Sequence, residues 1–321
     1  MGLSAMVAIQ KADMALGDLA SGGRLSIQQF TDFFRVPILE STLMKHVRVQ
    51  PMDAPIAEID KISAPTQVMH GASSGQALTL AQRAKPGFDK VTLTSKLLRG
   101  AVSIPDEALE DNIERDRMTA TVRDLVSRAV GRDMEKLMIL GDTADSSAYA
   151  SLLTVTDGII KLASSNVAAV GGAYLGKTQL EQIDLKLPDE FRVSQDKMVY
   201  LTSYRAGIYY RSAIGSRQTQ KGDEVLVEGL GQIGGTPSYP LFNGVPVMPV
   251  PLFPSNLGVG TNETVVLYMN PKTVVFGVQR DIKFETQRDP SSGSTIVHIT
   301  TRVDTQYEHE PMVVKATGIY N

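Results

Sequence analysis

The sequence contains no cysteine and no tryptophan among its 321 residues. The absence of cysteine excludes a disulfide framework and metal sites built on thiolates, and it is compatible with folding in a reducing cytoplasm. The four histidines are spaced too widely for two of them to share a helix face as metal ligands. They are His46, His70, His298 and His309. We therefore expect neither a metal site nor a cofactor.

Charge of one sign, aromatic residues and long apolar runs are also scarce. The 32 Lys and Arg residues nearly balance the 35 Asp and Glu residues, so the chain lacks the basic excess that binds a phosphate backbone tightly. Aromatic residues make up 6% and do not alternate with basic ones, which argues against a stacking platform for single-stranded nucleic acid. No stretch approaches the roughly 20 apolar residues of a membrane span. These absences predict a soluble globular protein.

The N-terminal region has the pattern of a short arm. Residues 1–23 are rich in small residues, and the next segment, LSIQQFTDFFRVP, has apolar residues at helical spacing. Ser26 is a candidate N-cap, and Pro37 is expected to end the helix. The apolar stripe consists of Ile27, Phe30 and Phe34. The segment is therefore predicted to be an arm with one apolar contact face.

Residues 56–104 have an extended pattern and predict a long two-stranded ribbon. The strands IAEIDKIS and FDKVTLTSKLLRGAVSI flank a polar tip, GASSGQALTLAQRAKPG. A two-stranded ribbon has too little face to bury, so one of this length needs a surface outside itself. We therefore expect contacts with another subunit. The candidate contact residues are Phe30 and Phe34 in the arm and Met69, Gly71, Gly75, Lys85 and Phe88 in the ribbon.

The segment IPDEALEDNIERDRMTATVRDLVSRAVGRDMEKLMILGD predicts one very long helix. Proline is favoured in the first turn of a helix and glycine just after its end, so Pro105 marks the predicted start and Gly141 the predicted end. Apolar residues recur at three- and four-residue steps over about 34 positions, which corresponds to a rod of roughly 50 Å. The acidic residues at 106–116 are explained by the positive end of the helix dipole, so they do not indicate a cation site.

After residue 150 the pattern is mixed. Thr178 and Glu181 form a possible capping box for a short helix that Pro188 ends, and KMVYLTS at 197–203 predicts a buried strand before a second helix at about 204–213. Residues 214–262 are rich in Gly and Pro, with short strands at VLVEG and VPVMPVP. The C-terminal sequence predicts an antiparallel block from IKFETQ, the turn RDPSSGS, TIVHITTRV and PMVVKATGI.

The stretch GGAYLGKT matches the phosphate-loop pattern at Gly171, Gly176, Lys177 and Thr178. The chemistry requires a buried parallel strand before the loop, a sturdy helix after it, and a second strand ending in an acid for magnesium. Here the preceding strand is short, the helix ends within about three turns, and the later apolar runs do not end in an acid. A glycine turn before a capped helix is the preferred interpretation, and a nucleotide hydrolase stays as a remote alternative.

A second enzyme-like pattern, Gly71-Ala72-Ser73-Ser74-Gly75, fits the nucleophile elbow of hydrolases. His298 or His309 follows later in the required order. The elbow needs a strained strand-to-helix turn on an existing parallel sheet, and the preceding 70 residues contain no strand-helix alternation. We therefore interpret this stretch as the tip of the ribbon and expect no catalytic residue.

The order of these parts resembles the major capsid proteins of tailed bacteriophages. The quoted signals are GGRLSIQQFTDFF and VRVQPM in the arm, VSIPDEALEDN and LMILGD around the long helix, and MNPKTVVFGVQRDIKFETQRD near the end. The resemblance implies an α+β fold with an N-terminal arm at 1–55, an extended β-hairpin loop at 56–104 and an axial domain at 151–265. It further implies a peripheral domain made of 105–150, with the spine helix, and 266–321, with antiparallel strands.

The resemblance implies a function in self-assembly rather than catalysis. We expect hexamers and pentamers that form an icosahedral shell around the double-stranded DNA of a tailed phage or prophage, in a virion assembled in the host cytoplasm. The expected partners are other copies, a separate scaffolding protein, a portal and weakly contacted DNA. Some members crosslink through a loop lysine, but no motif transfers this chemistry to Lys85. The alternative within the same architecture is an encapsulin-like compartment that encloses an enzyme.

Overall fold

The computed structural model describes residues 43–63, 67–71, 75, 77, 79–80, 83–107, 116–216, 239–257 and 262–321. The predicted arm helix with Phe30 and Phe34, the predicted strand VLVEG and the candidate nucleophile Ser73 lie outside these residues. Within them, no helix has both the length and the apolar character needed to cross a membrane. The chain divides into two units. The first includes Leu97–Asp133 and Arg280–Arg302, and the second includes Ser41–Lys96, Met134–Gln279 and Val303–Asn321.

The predicted long helix is present as α1, Asp116–Leu140. Its 25 residues correspond to a length of about 37 Å. The helix ends at Leu140 and Gly141 follows it, as predicted; a Cβ at this position would collide with the carbonyl of Thr156, so the position requires glycine. The predicted start is displaced by one residue: Pro105 is the last residue of a strand, and helical backbone begins at residue 106. Residues 108–115 of the predicted helix lie outside the described part of the chain.

Four strands form a sheet in the order β1, β10, β11, β4. Their bounds are β1 Arg48–Pro51, β4 Lys96–Pro105, β10 Val274–Asp289 and β11 Ser294–Tyr307. The predicted hairpin at RDPSSGS is confirmed between β10 and β11. Its turn is closed by Asp289, whose carboxylate accepts hydrogen bonds from the backbone and hydroxyl of Ser291 at 3.0 and 2.6 Å.

The second unit contains a six-stranded mixed sheet in the order β5, β12, β9, β6, β8, β7. The strands are β5 Asn166–Tyr174, β6 Val199–Thr202, β7 Leu241–Phe242, β8 Val245–Pro249, β9 Glu263–Met269 and β12 Val314–Tyr320. Helices α4, Lys177–Leu185, and α5, Tyr204–Gly215, pack on it, and two single turns, α2 Ala150–Leu153 and α3 Ile159–Leu162, precede it. The apolar core lies between this sheet and its helices.

The predictions for this region are partly confirmed. The strand at 197–203 and the helix after it correspond to β6 and α5, and the Ser203 hydroxyl caps α5 by accepting a hydrogen bond from the Ala206 N–H at 3.2 Å. The capping box of Thr178 and Glu181 was wrong. Gly176 occupies the N-cap of α4, and no side chain makes a cap hydrogen bond there.

Strand β12 was expected to close the C-terminal antiparallel block. It lies instead inside the six-stranded sheet, antiparallel to β9 and parallel to β5, where Val314 pairs with Tyr268 on one side and Asn166 on the other. The apolar residues of β12 are fully buried there. A strand of alternating burial fits any sheet with a free edge, so its local pattern does not identify its partner.

The predicted ribbon is confirmed as an antiparallel pair of β2, Ile56–Ser63, and β3, Gly87–Thr94. The prediction that its second strand continues to residue 104 was wrong. Ser95 separates β3 from β4; its N–H donates to the Pro55 carbonyl at 2.8 Å, and its hydroxyl donates to the Gln279 side chain at 2.7 Å. The following residues form β4, which pairs with β11 in the four-stranded sheet.

Candidate assembly surface

The two faces of the ribbon have different environments. Directly opposite residues in an antiparallel pair lie on the same face, and successive residues alternate between faces. The inner face carries Ala57 and Ile59 from β2 with Val91 and Leu93 from β3. The outer face carries four cross-strand pairs. These are Ile56 with Thr94, Glu58 with Thr92, Asp60 with Lys90, and Ile62 with Phe88.

The inner face is anchored at the base of the ribbon. Leu93 is fully buried and packs in a small cluster with Met52 and Val275, against which Ala57 and Ile59 also pack. At Gly277 a Cβ would lie 2.7 Å from Sδ of Met52, so glycine allows the close approach of this cluster to β10. The ribbon is therefore held by apolar burial at one end.

A buried carboxylate adds a polar anchor at the same end. The Asp304 side chain, on β11, accepts a hydrogen bond from the Thr94 N–H at 2.6 Å and another from the Thr156 hydroxyl at 2.7 Å. Asp304 is buried, and hydrogen bonds to a buried charged acceptor are stronger than those between neutral groups. Sequence analysis missed this residue, because nothing in the local pattern TTRVDTQY distinguishes an inward-pointing Asp from a surface one.

The distal outer face is apolar and exposed. Ile62 and Phe88 lie directly opposite each other, and each residue is 73% exposed. Three further apolar residues beyond them, Val68, Met69 and Leu80, are also exposed, Met69 to 88%. Complete burial of one such side chain is worth about 1.5–3 kcal/mol. A surface that covers this end of the ribbon would therefore gain several favourable contacts.

Charged residues separate the two apolar ends of the outer face. The Lys90 ammonium lies 2.6 Å from a Glu58 carboxylate oxygen and 4.0 Å from one of Asp60. The hydrogen bond from Lys90 to Glu58, together with the charges of both acids, raises the pKa of Lys90. Exposed ion pairs add little stability, so this cluster contributes little to the fold.

The candidate contact residues in the ribbon lie in its tip and outer distal part. Met69, Lys85 and Phe88 are exposed, a Cβ at Gly71 would meet open space, and Gly75 has a left-handed φ of +88°. The structure brings Phe88 together with Ile62, which sequence analysis did not single out. Phe30 and Phe34 lie outside the described residues.

The glycines of the phosphate-loop pattern do not form a loop. Gly171 lies within strand β5, and the chain reaches Gly176 only after the strand has ended. The Lys177 ammonium lies 3.3 Å from Glu181 one turn along α4, where its partner is a carboxylate. In a phosphate loop the glycine amides and the lysine converge on one anion, and this geometry differs from that arrangement.

The remaining candidate groups have ordinary environments. His70 lies 3.4 Å from the Gln67 amide, and the ring of His309 packs edge-on against Phe191. Across the described ranges, no group of three His, Asp or Glu residues is arranged to hold a metal ion. The Asp106 carboxylate, from the acidic stretch before α1, pairs with Arg288 at 3.0 Å.

The solved structures that match this fold include a capsid of a GTA particle, a bacteriophage capsid and an encapsulin. The capsid of a native GTA particle matches with a TM-score of 0.63 at 14% identity, over 96% of this chain and all of that one. The mature capsid of bacteriophage PhiM1 matches with a TM-score of 0.58 at 12% identity, over 89% of each chain. The holo-SrpI encapsulin of Synechococcus elongatus PCC 7942 matches with a TM-score of 0.57 at 12% identity, over 96% of this chain and 99% of that one.

The chain therefore has the major capsid fold of tailed bacteriophages, which encapsulins share, and the predicted α+β fold and family resemblance are confirmed. The sequence comparison is more specific. The chain is 29% identical to YqbE of Bacillus subtilis (strain 168), whose name describes it as a prophage capsid protein. The match extends over 315 residues and covers 97% of each protein. No protein-family model matches the chain.

Proposed function

We propose that this chain is a major capsid protein whose activity is self-assembly. Hexamers and pentamers of it form an icosahedral shell that encloses the double-stranded DNA genome of a tailed phage or prophage. The observation that carries the proposal is the capsid fold along nearly the whole chain, combined with a ribbon whose apolar distal face is uncovered. The chain acts as a structural component, and we propose no catalytic role for it.

Assembly follows from the uneven burial of the ribbon. Its base is buried against the rest of the subunit, whereas Ile62, Phe88 and Met69 are exposed. Identical chains satisfy such surfaces repeatedly by forming closed symmetric assemblies. Obligate interfaces of this kind bury about 2,000 Å² or more, so contacts of large area are expected to outweigh individual ion pairs. We propose that the ribbon, with the arm residues Phe30 and Phe34, supplies such contacts to neighbouring subunits.

The domain division remains part of the proposal. We assign the arm to 1–55, the extended loop to 56–104, the peripheral domain to 105–150 with the strands after 266, and the axial domain to 151–265. The pairing of β12 with β5 and β9 favours one refinement, in which residues 314–320 join the axial region because they share its sheet.

The remaining partners follow from charge and chemistry. The net charge of −3 suits a container, since a strongly basic lining would hold packaged DNA through counterion release and oppose its movement. We propose a separate scaffolding protein, a portal, weak contact with DNA, assembly in the host cytoplasm and no crosslink through Lys85. A strongly basic inner surface in the assembled shell would contradict the weak-contact proposal.

Electron microscopy of the purified protein tests the function directly. Closed shells built from hexamers and pentamers are expected, and particles from infected or induced cells should contain double-stranded DNA. A protein that remains monomeric under all assembly conditions would overturn the proposal.

Two alternatives have distinct outcomes. The encapsulin alternative is favoured by the similarity to the SrpI shell, and it predicts DNA-free shells that copurify with a host enzyme. The phosphate-loop alternative predicts ATP turnover that disappears in Lys177→Ala. For the capsid protein we expect Lys177→Ala to assemble normally, because this exposed lysine pairs only with Glu181 among the ion pairs of the described residues.

A further inference from the structure

The pairing of β5 with β12 is irregular at three glycines, two of which, Gly171 and Gly172, begin the stretch that matches the phosphate-loop pattern. Gly171 and Gly172 in β5 and Gly318 in β12 have φ values of +75°, +74° and +75°, a conformation that favours glycine. The register between β5 and β12 shifts between Thr317 and Ile319. A Cβ at Gly318 would lie 3.3 Å from the Gly172 nitrogen, so the two irregular segments are in direct contact. Such bulges bend strands and redirect the side chains beyond them.

The side chains beyond the bulge are aromatic. Tyr174 pairs with Tyr320 across the strands, with ring centroids 5.6 Å apart, and Tyr174 packs on Tyr209 of α5 at 4.3 Å. A Cβ at Gly172 would lie 2.7 Å from the Tyr320 hydroxyl, so the glycine also makes room for this ring. We call these three residues the tyrosine cluster. They come from β5, β12 and α5, so the fold holds them in fixed relative positions.

The tyrosine cluster is continuous with the exposed face of α5. Tyr174 is 55% exposed and Tyr209 39%, while Tyr204 and Ile208 on the same helix are 57% and 55% exposed. Arg205 also lies on this face. The opposite face of α5 contains the buried residues Ala206 and Tyr210. Rigid aromatic residues next to arginine are the composition of binding hot spots. The composition of this surface therefore suits contact with a protein.

We propose that the tyrosine cluster and the exposed face of α5 form a contact with a second copy of this chain. The inference rests on the proposed function and identifies one of its contact surfaces. The exposed parts of the three tyrosines Tyr174, Tyr204 and Tyr209 and of Ile208 amount to roughly 300–400 Å². A stable two-protein complex needs about 800 Å² from each partner. The patch suits one of several contacts in a symmetric ring, where each copy is held on more than one side.

The charge of α5 also favours a second copy of the chain as the partner of this surface. Helix α5 carries Arg205 and Arg211 and no acidic residue, whereas the chain as a whole has a net charge of −3. Acidic residues outnumber basic ones by 35 to 32 in the chain, so a second copy offers this helix slightly more acidic than basic side chains as partners. Nucleic acid would also be attracted by the arginines, but the exposed Ile208 on this face gains nothing from a phosphate backbone.

The first experiment places a charge in the patch. Position 208 is exposed in the free subunit, so the thermal unfolding curve of Ile208→Glu is expected to match that of the wild type. In the assembled shell the new carboxylate would be buried, and we expect particle yield to fall by about tenfold or more. Ile208→Leu is the matched control and should assemble normally. Normal particle yield from Ile208→Glu would overturn the inference.

The second experiment measures burial directly. The chain contains no cysteine, so Ile208→Cys introduces a single reactive thiol. Maleimide labelling is expected to be fast in free subunits and about tenfold slower in particles, as for a group buried at an interface. An equal labelling rate in particles and subunits would overturn the inference while leaving the proposed function intact. Protection of the thiol by DNA on unassembled subunits would overturn it in favour of nucleic acid. Failure of the wild-type chain to form any particle would instead contradict the proposed function.

Discussion

The six-stranded sheet and the two-stranded ribbon differ in what each can bury within one subunit. In the sheet, Tyr200, Leu267 and Tyr268 on the central strands β6 and β9 are fully buried. In the ribbon, only Leu93 is buried to this extent, and burial decreases toward the exposed pair of Ile62 and Phe88. The sheet therefore contributes buried apolar surface to the stability of the single subunit. The ribbon carries apolar surface that contributes nothing until another surface covers it.

The largest loss of subunit stability is expected in the sheet. Leu267→Ala removes a fully buried side chain from β9 and should lower the free energy of unfolding by about 2–5 kcal/mol. Leu185→Ala, at an exposed position on α4, is the control and should change it by less than about 0.5 kcal/mol. Urea denaturation of the unassembled subunit measures both. Equal effects of the two variants would contradict the assignment of the core.

The anchor between the ribbon and the subunit should have the next largest effect. Asp304→Ala leaves the Thr94 N–H and the Thr156 hydroxyl without their acceptor, which should cost about 1–3 kcal/mol. Hydrogen exchange at the Thr94 amide should become faster, because this bond holds the end of β3. Asp60→Ala, an exposed acid on the same ribbon, serves as the control. Unchanged exchange at Thr94 in Asp304→Ala would show that the carboxylate does not hold the ribbon.

Alkaline pH should lower the stability of the subunit, in part through Tyr268 of the six-stranded sheet. Burial, together with the nearby charge of Asp184, raises the pKa of Tyr268 to about 12. Because this pKa lies above the value of about 10 in the unfolded chain, the stabilising contribution is complete below pH 10 and is lost as the pH rises toward 12. The expected loss is about 2 kcal/mol. Tyr268→Phe keeps the stack on Tyr200 and should make the decline less steep by the share of one phenol, because burial also raises the pKa values of Tyr200 and Tyr307. An equally steep decline in that variant would contradict the assignment.

A smaller acid effect is expected at the half-buried Glu310. Burial opposes its ionisation, but hydrogen bonds from Ser165 and from the Ser164 N–H outweigh burial and lower its pKa below the ordinary 4.5. The contribution to stability is therefore present above pH 4.5 and is lost as the pH falls below it. Glu310→Gln should cost about 1 kcal/mol at neutral pH and reduce the slope at acid pH. If the free energy of unfolding of this variant falls as steeply at acid pH as that of the wild type, the effect belongs to other carboxylates.

The smallest effect on the subunit is expected in the ribbon, together with a large effect on assembly. Phe88→Ala shortens an exposed side chain, so the free energy of unfolding should change by less than about 0.5 kcal/mol. Particle yield should fall, and deletion of residues 71–86 should leave a folded subunit that assembles poorly. Phe88→Leu keeps an apolar side chain and is the control. A folded deletion variant that forms particles normally would refute the proposed role of the ribbon.

The sequence predicted what depends on local patterns. Gly141 predicted the end of α1, period-two alternation predicted the ribbon, and the turn RDPSSGS predicted the β10–β11 hairpin. What it did not predict depends on distant partners. The sheet position of β12, the pairing of Ile62 with Phe88 and the inward orientation of Asp304 each require a neighbour far along the chain. The phosphate-loop pattern begins at Gly171 in a bulged strand and not in the expected glycine turn, and its second glycine, Gly176, is the N-cap of α4.

Hydrogen exchange of the ribbon before and after assembly tests the central claim most directly. The amides of residues 56–63 and 87–94 can be followed in free subunits and in purified particles, with the buried strand β9 as an internal reference. We predict that exchange toward the tip slows strongly in particles, while β9 is equally protected in both states. Equal ribbon protection in the monomer and the particle would contradict the claim that other copies complete this element.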